Sequence, residues 1–461
     1  MTRAAAGRRA LLTLLCLIEG CHSQGAARAR ATTIRSCEFQ IELSAQGLAQ
    51  VRATCIADGP MAFRVAERRT ARSVHSETPG KAGQFPSPDG RLSYDVDLAK
   101  LAGNGHDFDR AERVGASFVA PMSSVLLVPE PLTTEIPVTV RVNAPAPLSV
   151  AVGLKRGTAA RSYHLMAHEI PVATYFAFGQ LTQRTLDIDG ARLEVTALDG
   201  ALDQSFDDVN DWIATSAKAV HDFYGAFPVP RASVTLIPTP GRDSVVFGKV
   251  LPESEPGVAL LLGQHATRKA LYSDWILVHE LFHLGFPSFF HEGKWLDEGL
   301  ATYYEPIIRV RAGLYTEVEL WSELSKSMPQ GLPAFTELGL EKADDFRGIY
   351  WGGAIACLVA DVAARQRDPK RGLEVGLRAL REAGGNACEV WSLQEAIGAV
   401  DHALGAPTLE PIMRQHGQRG SNFDLQALFV ALGVNRDAQG AVQLSDSAPL
   451  AAVRRAITAQ P

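Results

Sequence analysis

Between about Thr33 and Ala167, apolar residues alternate with polar ones or fall in short runs. Examples are Glu42-Leu43 with Val51-Arg52-Ala53, Ser124-Val125-Leu126-Leu127-Val128, and Pro137-Val138-Thr139-Val140-Arg141-Val142. Pro and Gly clusters separate the runs, the mark of strands joined by turns. An N-terminal β-sandwich-like domain is expected over residues 33–175. After Phe178 the pattern changes: Val209, Trp212, Ile213, Ser216, Val220, Phe223 and Tyr224 recur at three-to-four spacing, which predicts an amphipathic helix over 208–224, stopped by Gly225 and Pro228. Strands are expected at 233–237 and 257–262, then helices over about 271–284 and 294–311. Strand 257–263 is either an edge strand able to pair with an extended peptide or a buried core strand. Helical patterns continue at 353–365, 371–382, 393–404 and 425–432. The expected fold is therefore multidomain α+β, with a mixed unit over 176–312 and a C-terminal α-helical domain over 313–461.

Length and composition agree: 461 residues, 46% hydrophobic and 21% charged, suit several compact domains. A net charge of −6 leaves no broad positive field for a phosphate backbone, so nucleic acid is excluded as an expected partner. Arg3, Arg8 and Arg9 precede a short apolar stretch over 10–18, which reads as an export signal over 1–24, too short for a membrane span. Ile18-Glu19-Gly20-Cys21 resembles a bacterial lipobox; Cys21 is then either lipidated, the one expected route to a membrane, or lost by cleavage nearby. The expected location is the cell envelope or the exterior. There the remaining cysteines favour disulfides, Cys37 with Cys55 and Cys357 with Cys388 by proximity, against four unpaired thiols.

The chemistry lies in His279-Glu280-Leu281-Phe282-His283, an HExxH pattern inside an apolar helical stretch that Gly285 and Pro287 end. Residues four apart on a helix stand one above the other, so both imidazoles can reach one zinc ion. Glu280 is rotated by about 100° from His279 and can approach a water without ligating. A catalytic zinc takes a third protein ligand and leaves a position for water. Glu298, fifteen residues past His283 in a second helical segment, supplies it if the two helices run antiparallel. His75 and His106 stand at no such spacing, and His164 and His168, though four apart, have no glutamate after the first; all four read as ordinary structure.

HExxH followed by Trp295-Leu296-Asp297-Glu298-Gly299-Leu300-Ala301-Thr302-Tyr303-Tyr304-Glu305 resembles the gluzincin metallopeptidases, specifically the aminopeptidase N and glycyl aminopeptidase families. The resemblance implies a thermolysin-like zinc domain over 176–312, one Zn2+ per chain, peptide or protein substrates, and hydrolysis with Glu280 as general base. It also implies an oxyanion-stabilising tyrosine; Tyr350, in Gly348-Ile349-Tyr350-Trp351-Gly352-Gly353-Ala354, is the candidate. Glu305, seven residues after Glu298, is implied as the carboxylate that orients a ligand histidine, with a surface carboxylate as the alternative. Aminopeptidase N relatives carry Gly-x-Met-Glu-Asn ahead of the zinc helix, with a glutamate for the substrate's amine. The stretch 243–263 does not spell it; Glu253 and Glu255 are its carboxylates, as substitutes or as loop charges. The alternative to an enzyme is an inactive binding module on the same fold.

Overall fold

A computed structural model describes residues 32–102, 110–133, 135–252, 255–289 and 292–460. The leader with Cys16 and Cys21, His106 and Glu253 lie outside the described residues. Among the described residues no helix is long and apolar enough to cross a membrane.

The chain is a multidomain α+β protein. Its N-terminal part is built on a seven-stranded sheet with Ile34–Leu43 in the middle, antiparallel to Leu48–Ala57 on one side and parallel to Pro137–Asn143 on the other. Alternation along these strands buries one face, and Phe39, Phe63, Phe118, Phe176 and Phe178 fill the interior. Cys37 and Cys55 face each other across the first strand pair and form the expected disulfide.

The next unit carries a five-stranded sheet. Its strands are β1 (Thr182–Ile188), β2 (Ala191–Ala197), β3 (Arg231–Thr239), β4 (Val245–Leu251) and β5 (Gly257–Gly263), in the order β1-β2-β3-β5-β4. Helix α1 (Phe206–Tyr224) connects β2 to β3; Ser205 caps its start by accepting from the Asp208 N–H, and Gly225, at φ 77°, ends it. Every residue of β5 is buried, which settles 257–263 as an interior strand. The edge belongs to β4, which the sequence pattern hides because Gly248 and Lys249 interrupt its apolar run.

The helix expected over 271–284 is two: α2 (Arg268–Tyr272) and α3 (Ile276–His283). The break falls at Asp274, whose carboxylate accepts the Leu277 N–H at 3.0 Å and starts α3 afresh. Helix α4 (Lys294–Arg311) runs back along α3, so that His283 meets Asp297 at one end and Ser273 meets Arg309 at the other. Helix α5 (Gly353–Arg367) packs on α4, and Leu373–Glu382, Leu393–Leu404 and Leu425–Leu432 follow at the expected places. Apolar packing is continuous from Val234 and Leu260 in the sheet to Ile355, Leu377 and Leu432 in these helices. The expected Cys357–Cys388 disulfide is absent: Cys357 points into this packed interior while Cys388 is exposed, and both are free thiols. Closeness in sequence did not become closeness in space.

Candidate metal centre and its cleft

His279 and His283 lie one turn apart on α3, and α4 brings Glu298 against both. The Nε2 atoms of His279 and His283 stand 3.3 and 3.5 Å from the same oxygen, Oε2 of Glu298. Two N or O ligands of a tetrahedral ion with bonds of about 2.0–2.1 Å are about 3.3–3.4 Å apart, so the spacing fits zinc. Among the described residues this is the one group of three metal-binding side chains with mutually close donor atoms. Both imidazoles are buried, at 3% and 6% exposure.

Asp297 completes the arrangement. Its carboxylate accepts from Nδ1 of His283 at 2.8 Å, which orients the ring so that Nε2 faces Glu298. Burial disfavours a charged His283, but Asp297 and Glu298 outweigh it and raise that imidazole well above its ordinary pKa. Burial likewise opposes ionisation of Glu298; hydrogen bonds from both imidazoles reverse the effect and hold its carboxyl far below the usual range. A pocket that so favours positive charge beside a carboxylate suits a cation.

Glu280 lines the same cleft and faces the sheet edge at Gly248 and Val250. Burial raises its carboxyl, the two histidines pull it down, Glu298 pushes it up, and the Val250 N–H on β4 stabilises the anion. Gly248 permits this contact: a methyl there would lie 2.5 Å from Cγ2 of Ile276 and 2.8 Å from Cγ of Glu280.

Tyr350 stands on a π-helical turn, Arg347–Gly352, that leads into α5. Its ring lies parallel to that of His279 at 5.9 Å, and burial together with the negative Glu298 keeps its hydroxyl protonated far above the ordinary value. The turn approaches α4 through glycine on glycine: a methyl on Gly353 would stand 1.9 Å from the Trp295 carbonyl oxygen, and one on Gly299 would stand 2.4 Å from the Gly353 carbonyl carbon. Glu341 fixes the start of α4 by accepting from the Trp295 indole at 2.6 Å and the Gly293 N–H at 3.2 Å.

One expectation fails, and one open alternative is decided. Glu305 is buried but pairs with Arg309 at 2.9 Å and not with a histidine. Seven residues carry it about 10 Å along α4, past the ligands and beside the start of α3. Asp297, adjacent to Glu298, holds the histidine instead; the acidic pair Asp297-Glu298 was its only sign in the sequence. Of the two readings of Glu255, the charge-pairing one holds: it is ion-paired with Arg231 at 2.7 Å and does not line the cleft.

The cleft over the centre has a volume of about 1040 Å³. Its walls include Phe247, Gly248 and Val250 of β4, Trp275, Lys294 and Phe346, with His279, Glu280, His283, Glu298 and Tyr350 at its floor.

By sequence, no family model and no curated protein matches the chain. By structure, it is similar to an aminopeptidase N family protein from Idiomarina loihiensis, with a TM-score of 0.66 and 14% identity, over 86% of this chain and 78% of that one. It is also similar to a two-domain M1 zinc metallopeptidase variant solved with L-arginine, at TM-score 0.53 and 13% identity, over 86% and 96%. An M1 zinc metallopeptidase from Deinococcus radiodurans, a variant solved with a Tyr-Ser-Ala substrate, matches at TM-score 0.50 and 14% identity over the same shares. The fold is that of the gluzincin aminopeptidases.

Proposed function

We propose that the chain is a zinc metallopeptidase that hydrolyses peptide bonds, with His279, His283 and Glu298 as zinc ligands and Glu280 as general base. The observation that carries the reading is the convergence of two Nε2 atoms on one carboxylate oxygen at tetrahedral spacing, at the floor of an open cleft. When bound there, zinc supplies the charge that acidifies water and polarises a carbonyl.

The chain's own groups do the rest. The peptide lies extended along β4, whose outward edge includes Gly248. Glu280, held by the Val250 N–H, takes a proton from the attacking water as oxygen bonds to the scissile carbon. It then delivers that proton to the leaving amine as the C–N bond breaks. The partly desolvated setting that raises its carboxyl brings its basicity closer to that of the groups it serves. Tyr350, protonated at any working pH, donates a hydrogen bond to the oxyanion.

The same reading takes the chain to be exported, on the strength of the arginine-led apolar N-terminus and the Cys37–Cys55 disulfide, which an oxidising compartment sustains. Cys21 is the proposed point of any lipid attachment.

Glu280→Gln tests the mechanism. It keeps shape and leaves all three zinc ligands in place, so bound zinc should match the native chain while turnover of a mixed peptide pool falls by roughly 10²–10⁴-fold. Native-level turnover would reject Glu280 as the base; a native chain that binds zinc yet cleaves nothing would favour the inactive binding module.

A further inference from the structure

The groups around the cleft mouth follow a rule of position. Trp275 precedes His279 by four residues, Lys294 precedes Glu298 by four, and Phe346 precedes Tyr350 by four. Four residues are one helical turn, so each rim side chain sits one turn outward from a floor residue, on the same helical face. The rings bear this out: Trp275 meets His279 edge to face at 5.5 Å, and Phe346 lies 4.3 Å from Tyr350. On the facing wall, Phe247 is adjacent to Gly248.

These aromatics stand out across the molecule. Among the described residues, the large apolar side chains left exposed include three aromatic ones: Phe247 at 48%, Trp275 at 44% and Phe346 at 55%. All three line this cleft. Exposed aromatics gathered at one concavity mark a binding surface, since each would lose unfavourable hydration when covered.

Charge points the same way. The described carboxylates lining the cleft are Glu280, Asp297 and Glu298, and each is engaged: with the Val250 N–H, with His283, and with both histidines. Lys294 and Lys249 are the cations of the lining; Lys249 also borders a separate hollow toward the N-terminal domain, whereas Lys294 opens the helix that carries Glu298.

We propose that the cleft selects peptides that present bulky apolar side chains to Phe247, Trp275 and Phe346 and a carboxylate to Lys294. The inference rests on the peptide-cleft reading above and adds the class of substrate. The carboxylate is either an acidic side chain or a peptide's own C-terminus, since both offer the same partner to an ammonium group. An N-terminal ammonium finds Lys294 repulsive.

Calorimetric titration of the zinc-loaded Glu280→Gln chain tests this without turnover. The probes are acetyl-Ala-Phe-Phe-Asp-amide, its Asn analogue as the amide, and acetyl-Ala-Phe-Phe-Asn with a free C-terminus. The neutral probe should bind about fivefold more weakly than at least one charged probe, the scale of one solvent-exposed ion pair. Which charged probe gains identifies the source of the carboxylate. Adding Lys294→Gln should erase the difference, Lys294→Glu should invert it, and high salt should shrink it in the parent alone. Replacing both Phe residues of the probe by Ala should weaken binding further. Equal affinity for all three probes, or a preference that survives Lys294→Gln, overturns the proposal. Hydrolysis by the native chain is followed separately: cleavage without the preference sinks only this inference, and the preference without cleavage sinks only the enzymatic reading.

Discussion

Asp297 shows how much a single hydrogen bond settles. Its carboxylate accepts a hydrogen bond from Nδ1 of His283 and so aims the opposite nitrogen at Glu298, the orientation that the proposed zinc site needs. Tyr350 acts at the opposite end of the proposed chemistry, on the oxyanion. Tyr350→Phe removes one hydroxyl and retains the ring that stacks on His279, so zinc content and melting temperature should stay while kcat falls by roughly 10²-fold. An unchanged kcat would leave that tyrosine a packing residue. Of the residues at the floor, His279, His283 and Glu298 were legible as a group because their types and intervals suit one metal ion, and Glu280 came with the same motif. Asp297 was not, because an aspartate next to a glutamate reads equally as a solvated helix start. Glu305 misled for a related reason: sharing a face with Glu298 says nothing of the two helical turns that separate them along the axis, and Arg309, four residues on, was the nearer partner.

Elements reach the site by close approaches that only small residues allow. The turn bearing Tyr350 seats against α4 because Gly353 meets the Trp295 carbonyl and Gly299 without a side chain between them. Gly353→Ala should therefore destabilise the chain by about 1–3 kcal/mol and lower turnover through displacement of Tyr350, checked by urea unfolding and kcat together. Native stability would mean that α4 and α5 can part without cost. At the start of α3, burial raises the Asp274 carboxyl to about 6 from an ordinary 3.8, against the pull of the Leu277 N–H. The neighbouring Glu305 and Glu323 are pushed up by burial too, with Arg309 as the nearby cation. A raised folded-state pKa means that the folded chain holds a proton the unfolded chain has released. Stability from this group is then fully present below about pH 4 and is lost as the pH rises through about 6. Asp274→Asn has no such proton to lose and should flatten up to about 3 kcal/mol of that decline, read as the difference in unfolding midpoints at pH 4 and pH 7. Parallel profiles for both chains would contradict it. The long amphipathic helices were visible in the sequence, whereas the division between α2 and α3 and the edge strand β4 were not. The first depends on one side chain capping the backbone, and the second on a glycine and a lysine tolerated where the sheet ends.

On the scale of the whole molecule, the order of β-rich, mixed and helical parts could be read from the change in apolar period, because period 2 first gives way to 3.6 at the helix over Phe206–Tyr224. What period cannot convey is which distant segments meet. The cleft draws on β4, α3, α4 and the turn before α5, spread from Val246 to Tyr350, and its rim took meaning only once these stood together. The failed cysteine pair has the same origin, since burial of Cys357 in α5 depends on packing across the chain. The account turns on whether His279, His283 and Glu298 hold zinc as one unit. Elemental analysis of the purified native chain beside Glu298→Ala, after dialysis against a weak chelator, measures that directly. About one zinc per chain in the native protein and a large loss in the variant is the expected result; a native chain that retains no zinc, or a variant that retains as much as the native, would contradict it.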